Sequence, residues 1–159
     1  MINLPEDFTA YTKVLFGDER WERYVAAFNE PTPVSIRLNP FKKADRPEGS
    51  TAVPWCRNAY FLAERPDFTA DPLLHAGMYY VQEAASMFLD EVMRQIPLPQ
   101  EGRVLDLCAP PGGKSTLMRA ALCDAVTLYS NEPNRKRANI LMENMQKQGH
   151  ERSEERRVG

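Results

Sequence analysis

The sequence predicts an α/β fold preceded by a smaller α+β region at the amino-terminal end, and three observations support this prediction. An apolar run at residues 104–107 has the length and composition of a short buried strand of a parallel sheet. Prolines and glycines at residues 110–113 then force a turn, after which the apolar residues follow a helical period. A further strand is predicted at residues 125–130. Strand, glycine turn, helix and strand in this order are typical of α/β proteins.

The amino-terminal region is predicted to begin with two helices, at residues 5–16 and 18–30, joined at Gly17. Alternating apolar residues predict a strand at residues 34–38, in which Arg37 faces away from the apolar side chains. Another strand is predicted at residues 60–63. The second helix carries an apolar stripe that is more typical of a core face than of a platform for nucleic acid: Trp21, Tyr24, Val25 and Phe28.

Polar residues and turn formers predict a loop at residues 42–51 and an irregular connection at residues 66–77. Two more helices are predicted at residues 83–95 and 133–148, and Gly149 stops the second of them. The predicted buried faces consist of Met87, Phe88, Val92 and Ile96, or a close variant of this stripe, in the first of these helices, Leu117, Met118, Ala121 and Leu122 in the helix after the glycine turn, and Ala138, Leu141, Met142 and Met145 in the last.

The glycine turn has the layout of a site for a nucleotide-type cofactor. The unpaired amides at the start of the following helix point toward the turn, and adjacent glycines let a ligand approach the backbone. A phosphate-binding P-loop requires Gly-x-x-x-x-Gly-Lys-[Ser/Thr], but Cys108 stands where the first glycine would be. Pro110 and Pro111 also remove two amide donors, and the dinucleotide pattern Gly-x-Gly-x-x-Gly is absent.

An acidic residue at the end of the second strand narrows the class of cofactor. Glu132 lies about 20 residues after the glycines, where an acidic side chain commonly receives the two hydroxyls of a ribose. A ribose-bearing ligand with little or no phosphate therefore fits best, and S-adenosylmethionine is the common one. Asp106, in the middle of the first strand, needs amide donors to be tolerated there, and we expect it to brace the loop.

Three segments together resemble a known family. The most specific is Cys108-Ala-Pro-Pro-Gly-Gly-Lys114, with residues 104–107 before it and residues 131–135 after it. Residues 76–87 and residues 33–40 supply the other two. With them, the chain resembles the NOL1/NOP2/sun family of RNA cytosine-5 methyltransferases over most of residues 5–150, and the bacterial ribosomal RNA members in particular.

This resemblance implies a Rossmann-like, S-adenosylmethionine-dependent methyltransferase sheet of about seven strands, of which this chain contains the start. In the family, a cysteine thiolate from a Thr-Cys segment adds to carbon 6 of cytosine, and a second cysteine from a Pro-Cys-Ser-Gly segment assists release. Neither segment occurs here, so we expect no catalytic residue in this chain and no activity from it alone. The resemblance implies ribosomal RNA as the partner and assigns cofactor binding to Cys108, Ala109, Pro110, Pro111, Gly112, Gly113, Lys114 and Glu132.

The three cysteines of the chain do not fill the missing catalytic positions. Cys108 belongs to the cofactor loop, and Cys123 is predicted to be a small buried residue on the helix after that loop. Cys56 is expected to pack beside Trp55. No spacing suggests a metal site, and unpaired cysteines without a signal peptide indicate a reducing cytoplasm, where we expect a monomer.

Charge gives little information about RNA binding. The formal net charge is −2, and the last eight residues contribute three arginines and two glutamates, so the charge without them is −3. A basic patch around Arg37, Lys42, Lys43 and Arg46 is a candidate for RNA contact, with a solvated loop as the more common alternative. The same two interpretations apply to Arg135, Lys136 and Arg137, of which Arg137 could reach the cofactor. Tyr79, Tyr80 and Gln82 either line the RNA side of the cleft or pack the strand that they occupy.

The predicted domains are an α+β region with a candidate RNA contact at residues 1–75, a truncated cofactor-binding core at residues 76–151 and a non-native tail at residues 152–159. The tail is charged, has no apolar periodicity and reads like the translation of a sequencing adapter. The genomic sequence of the locus tests that interpretation. Two other functions stay open: a P-loop hydrolase that binds ATP with magnesium, and a non-catalytic RNA-binding or assembly protein.

Overall fold

A computed structural model of the chain describes residues 3–149 and the backbone of residues 153–156. The chain divides into two compact units, Met1–Pro33 and Val34–Gly159. The predicted domain boundary after residue 75 differs from this division and stays a prediction. Among the described residues, no helix has the length and the apolar character needed to cross a membrane.

The first unit contains helix α1, Glu6–Ala27, which is interrupted at Gly17. Gly17 has φ 71° and ψ 168°, so the two predicted helices joined at this residue are confirmed, although the second ends at Ala27 and not at residue 30. In the second half of α1, aromatic side chains surround Tyr24. The centre of its ring lies 5.5 Å from that of Phe16 and 5.1 Å from that of Phe28. Such aromatic contacts are typical of a small apolar core. Phe28 is nevertheless 40% exposed, so its predicted burial is wrong.

The second unit begins with an antiparallel sheet of four strands in the order β2–β3–β1–β4. These strands are β1, Val34–Leu38; β2, Thr51–Ala52; β3, Ala59–Leu62; and β4, Tyr79–Val81. The strands predicted at residues 34–38 and 60–63 are confirmed, the latter one residue earlier.

One more element lies in the connection that was predicted to be irregular. Helix α2, Pro72–His75, is short and is capped by Asp71, whose carboxylate accepts from the amide of Leu73 at 2.8 Å. Proline at the start of a helix and an aspartate cap suit a single turn, which is too short to give a periodic signal in the sequence.

Both faces of β1 are buried. Ile36 and Leu38 pack with Phe68 on one face in a small apolar cluster. Ser35 and Arg37 point to the other face and are 4% exposed each. The predicted alternation is therefore correct, but the polar face is buried and not solvated.

A parallel sheet follows, in the order β5–β6–β7. Its strands are β5, Gly102–Asp106; β6, Val126–Asn131; and β7, Ser153–Arg156; between them lie helices α4, Gly113–Ala121, and α5, Arg135–Gln148. All strand pairs are parallel, which confirms the predicted α/β arrangement. The larger core of the unit includes Met87, Leu117, Val126, Leu128, Leu141 and Met145.

The helix predicted at residues 83–95 has a different start and a different buried face. A 3-10 turn, Ala85–Phe88, precedes α3, Leu89–Gln95. The buried residues Met87, Asp90 and Met93 follow a spacing of three, which matches the tighter 3-10 period at the start and not the α-helical stripe. The predicted burial of Phe88, Val92 and Ile96 is therefore wrong, because they are 53%, 40% and 50% exposed.

Three other predicted core positions, in β5 and α5 or next to them, are exposed. The residues flanking Asp106, Leu105 and Leu107, are 58% and 66% exposed, because the described elements cover only the face of β5 that contains Val104. In α5, Leu141 and Met145 are buried, but Met142 is 43% exposed. The helix ends at Gly149 with φ 78°, as predicted.

The predicted non-native tail lies partly outside the described residues. Ser153–Arg156 form β7, parallel to β6, while residues 152 and 157–159 are not described. The origin of the tail stays a prediction that the genomic sequence decides.

Candidate functional site

The glycine loop and Glu132 lie at the same edge of the parallel sheet. Asp106, the last residue of β5, pairs with Ser130 of β6, so both strands end together. The amide of Ala109 donates to the carbonyl of Asn131 at 3.2 Å, which ties the loop to the end of β6. Carboxyl ends of neighbouring parallel strands are the usual place for a ligand in an open α/β sheet.

Asp106 braces the loop from within. Its Oδ1 accepts from the amide of Cys108 at 3.1 Å, and its Oδ2 accepts from the hydroxyl of Ser115 at 2.8 Å. One carboxylate thus links the start of the loop to the first turn of α4. The expectation that Asp106 supports the loop is confirmed. Ser115 is fully buried in this contact, so its hydroxyl is not presented at the surface where a P-loop would bind magnesium.

Protein side chains crowd the space beside both glycines of the loop. Gly112 has φ 111°, and a Cβ placed there would lie 3.3 Å from atoms of Asn144 and Leu141 in α5. A Cβ at Gly113 would lie 3.2 Å from the ring of Tyr80 and 3.3 Å from Gln82. The sequence suggested that the missing side chains leave room for a ligand, but protein atoms occupy that space. Any contact of these two glycines with a ligand must therefore come from their backbone atoms.

Helix α5 also fixes the loop. Asn144 donates to the carbonyl of Pro111 at 2.7 Å, and the hydroxyl of Tyr80 donates to the same carbonyl at 3.4 Å. Neither the asparagine nor its role could be inferred from the sequence, because the residue follows no motif and its partner is a backbone atom.

The first turn of α4 has free hydrogen-bonding capacity. Gly112 is its N-cap residue and provides no side-chain cap. The amides of Gly113, Lys114 and Ser115 have no carbonyl partner within the helix. Lys114, the second residue of α4, is exposed at this turn.

Glu132 is held in a fixed position just beyond β6. It is 5% exposed, and its Oε1 accepts from the amide of Asn134 at 2.7 Å. Its Oε2 lies 3.4 Å from Nε of Arg137. Of the three basic residues that begin α5, Arg137 therefore contacts the predicted ribose-binding residue. A carboxylate has about four acceptor directions, so these two contacts leave capacity for further donors.

Two buried side-chain oxygens belong to the last two residues of β6, which precede Glu132 in the sequence. Ser130 Oγ and Asn131 Oδ1 have no hydrogen-bond partner among the described residues. The amide group of Asn131 donates to the carbonyl of Leu107 at 3.1 Å, which orients the side chain. Buried polar atoms without partners are rare and often indicate a missing ligand or water.

A cleft of about 290 Å³ lies between the glycine loop and residues 80–86. Tyr80 and Gln82 line it, together with Cys108 and Lys114 of the loop. Tyr79 does not: it is 8% exposed, and its hydroxyl donates to Asp71 at 2.5 Å on the other side of the sheet. Each of the two interpretations of this segment therefore applies to part of it: Tyr79 packs the strand, and Tyr80 and Gln82 face the cleft.

Two residues of the candidate basic patch bind within the protein, and Arg37 does not belong to the surface at all. Arg37 is buried, and its guanidinium donates to Gln82, Gly113 and Thr116. Lys42 donates to the carbonyls of Ala76 and Lys147 at 2.5 and 2.6 Å. Short-range sequence clustering suggested a shared surface, but long-range backbone acceptors bind these side chains.

The cysteines occupy three different environments. Cys56 is 4% exposed in the core with Trp55, and burial raises its pKa to about 11, so it is a neutral thiol at physiological pH. Cys108 is exposed in the loop. Cys123 lies after the end of α4 and not on it, and is only partly buried, with its Sγ 2.9 Å from the carbonyl of Gln100.

Comparisons with known proteins agree with this arrangement. Residues 4–84 match the family described as the N-terminal domain of 16S rRNA methyltransferase RsmF. Residues 94–155 match the family described as 16S rRNA methyltransferase RsmB/F.

Curated relatives are similar over most of this chain. Ribosomal RNA small subunit methyltransferase F of Vibrio cholerae is 31% identical over 163 residues, covering 93% of this chain and 34% of that protein. The protein of the same name from Shewanella oneidensis is 32% identical over 139 residues, covering 80% of this chain and 29% of that protein. The chain thus spans about a third of the length of the curated relatives that it matches.

A solved structure supports the fold. The crystal structure of NSun6 from Pyrococcus horikoshii with SFG has a TM-score of 0.77 at 13% identity, covering 98% of this chain and 65% of that one. At this identity the likeness concerns the fold, a methyltransferase sheet with its preceding region. Because the first family match alone spans half of the sequence, the chain belongs to the RsmF family of 16S rRNA methyltransferases.

Proposed function

We propose that the complete protein transfers a methyl group from S-adenosylmethionine to cytosine in ribosomal RNA, and that this chain contributes the cofactor site. The observation that carries the proposal is the common edge formed by the glycine loop and the buried Glu132. The name of the curated relatives, ribosomal RNA small subunit methyltransferase F, supports the RNA substrate.

The residues at this edge fit the cofactor. The carboxylate of Glu132 would accept the ribose hydroxyls. The loop, Cys108 to Lys114 with Ala109, Pro110, Pro111, Gly112 and Gly113 between them, would bind the methionine part through its backbone. The Pyrococcus protein was solved with SFG, an analogue of S-adenosylmethionine, which supports this choice of cofactor.

The cofactor, when bound, supplies an electrophilic methyl group on its sulfonium. The chain's own contribution is to hold and orient that group: Asp106, Asn144 and the α4 turn keep the loop in one conformation before the ligand arrives. Preorganised groups bind more tightly because less ordering is required on association. We propose that the cysteine that activates the base belongs to the part of the protein outside these 159 residues.

Isothermal titration on the complete gene product tests the cofactor. We expect S-adenosylmethionine to bind, and ATP with magnesium to produce no heat of binding at the same concentrations. Binding of ATP in place of S-adenosylmethionine would replace our proposal with the P-loop alternative, which no comparison favours.

We predict that the 159-residue chain alone transfers no methyl group to ribosomal RNA. The chain lacks the Thr-Cys and Pro-Cys-Ser-Gly segments, and the thiol of Cys56 is buried and neutral. The measurement is incorporation of radiolabelled methyl groups into 16S rRNA, with the complete gene product as the positive control. Incorporation by the short chain above the level of a no-enzyme sample would contradict the prediction.

The sequence of the gene beyond codon 151 separates the enzyme from a non-catalytic RNA-binding protein. We expect both cysteine segments to follow in the same reading frame. A complete gene without them would favour the RNA-binding or assembly role. We also propose that the complete protein is a monomer, which light scattering coupled to size exclusion measures directly.

A further inference from the structure

Arg37 lies behind the glycine loop and links two parts of the chain. Its side chain extends from β1 of the antiparallel sheet to the first turn of α4. The Nη2 atom lies 2.7 Å from the hydroxyl of Thr116 and 3.2 Å from the carbonyl of Gly113. The Nε atom donates to Oε1 of Gln82 at 3.1 Å. The guanidinium thus contacts the end of the loop and the strand segment that faces it across the cleft.

These contacts determine the direction of the first helical turn. The hydroxyl of Thr116 also donates to the carbonyl of Gly113 at 3.1 Å, so the arginine, the threonine and the glycine carbonyl form a closed set of hydrogen bonds. The amides that would contact the cofactor belong to the same turn. A rotation of the Gly113 peptide would therefore redirect them.

Burial of the Arg37 charge reduces the stability of the fold, which suggests that the residue has a specific role. Arg37 is 4% exposed, and the hydrogen-bond acceptors described above are all neutral. Burial lowers its pKa to about 10, which still leaves it charged at neutral pH. The carboxylate of Asp90 acts on the guanidinium electrostatically but forms its ion pairs with Arg57 and Arg94. A buried charge in this position costs stability that an apolar residue would not cost. The planar guanidinium of Arg37 presents several hydrogen-bond donors in a fixed arrangement, which neither an apolar residue nor a lysine could reproduce.

We infer that Arg37 is a positioning residue for the cofactor loop, holding the Gly113 carbonyl so that the first-turn amides of α4 face the ligand. This inference rests on the proposed function of the loop. It gives the antiparallel sheet a role in cofactor affinity, in place of the RNA contact suggested by the basic cluster in the sequence.

Two variants of the complete protein test the inference, Arg37→Lys and Thr116→Val. Each removes part of the hydrogen-bonded set and keeps the side-chain volume similar. We expect the Kd for S-adenosylmethionine to increase about tenfold in each, the effect of losing one buried charge-assisted hydrogen bond. Amide hydrogen exchange of the ligand-free protein should become faster in the peptide that contains residues 112–116.

Arg119→Lys is the matched control. Arg119 is also fully buried and lies at the opposite end of the same helix, where it donates to the carbonyls of Leu122 and Cys123 at 2.8 and 2.6 Å. We expect this variant to lower the melting temperature as Arg37→Lys does, while its Kd stays within about twofold of wild type. If Arg37→Lys does not fold, Thr116→Val decides the question alone.

The outcomes separate this inference from the proposed function. Wild-type protein that does not bind S-adenosylmethionine contradicts the proposed function, whatever the exchange rates are. Wild-type binding with an unchanged Kd and unchanged exchange in the folded variants contradicts the role of Arg37. An equal loss of affinity in the Arg119 control would assign the effect to general stability and would also overturn the inference.

Discussion

Replacing Glu132 with alanine in the complete protein is expected to weaken binding of S-adenosylmethionine about a hundredfold, because a buried carboxylate that accepts two hydroxyls contributes two charge-assisted hydrogen bonds. Glu132 is 5% exposed, and its carboxylate is oriented by the amide of Asn134 and by Arg137. Isothermal titration measures the change, and circular dichroism verifies that the variant folds.

Glu143→Ala is the control for this prediction. Glu143 lies in α5 and is exposed, and its carboxylate pairs with Lys147 at 2.6 Å. We expect its removal to leave the Kd unchanged, because exposed ion pairs of this type contribute little. A Glu132 variant that binds as tightly as the control would show that the ribose is received elsewhere.

The second large effect is expected at Gly77. A Cβ at this position would lie 2.1 Å from the carbonyl oxygen of Lys147 and 2.6 Å from its carbonyl carbon, and the residue has φ +66°. These are backbone atoms at the end of α5, so no rotamer change can relieve the contact. We expect Gly77→Ala to reduce the free energy of unfolding by about 3–5 kcal/mol, through overpacking and backbone strain together.

Gly49→Ala separates the two causes. Gly49 has nearly the same φ, +67°, but the nearest atom to its Cβ position, in Ala63, is 3.9 Å away. Only the strain term applies there, and we expect a loss of about 1 kcal/mol. Urea unfolding of both variants of the complete protein gives the comparison. Equal losses would mean that the end of α5 moves away at no cost.

The sequence predicted the parts of the fold that depend on local patterns. The glycine loop, its flanking strands and Gly149 are defined by residues that lie next to each other, so period and turn chemistry were sufficient. The bracing role of Asp106 was also predictable, since a carboxylate within an apolar strand must find donors nearby.

The predictions were wrong where the environment of a side chain depends on residues far away in the sequence. Arg37 and Lys42 are close to other basic residues in the sequence, but their acceptors belong to α4 and the end of α5. The face of α3 changed because a 3-10 turn precedes it, and single-residue propensities do not show such a turn. Asn144 carried no signal, because its partner is the carbonyl of Pro111.

The long spacing of these contacts has a consequence for synthesis on the ribosome. Arg37 and Asn39 emerge early, but their acceptors at Gly113 and Gln148 follow 76 and 109 residues later. At about 5–20 residues per second, about 5–20 s pass before the contacts with Gly113 and Gln148 can form, while only the nearer partners Gln82 and Gly77 are available. Codons that slow translation between the two segments would lengthen the period in which the nascent chain is open to proteases and chaperones.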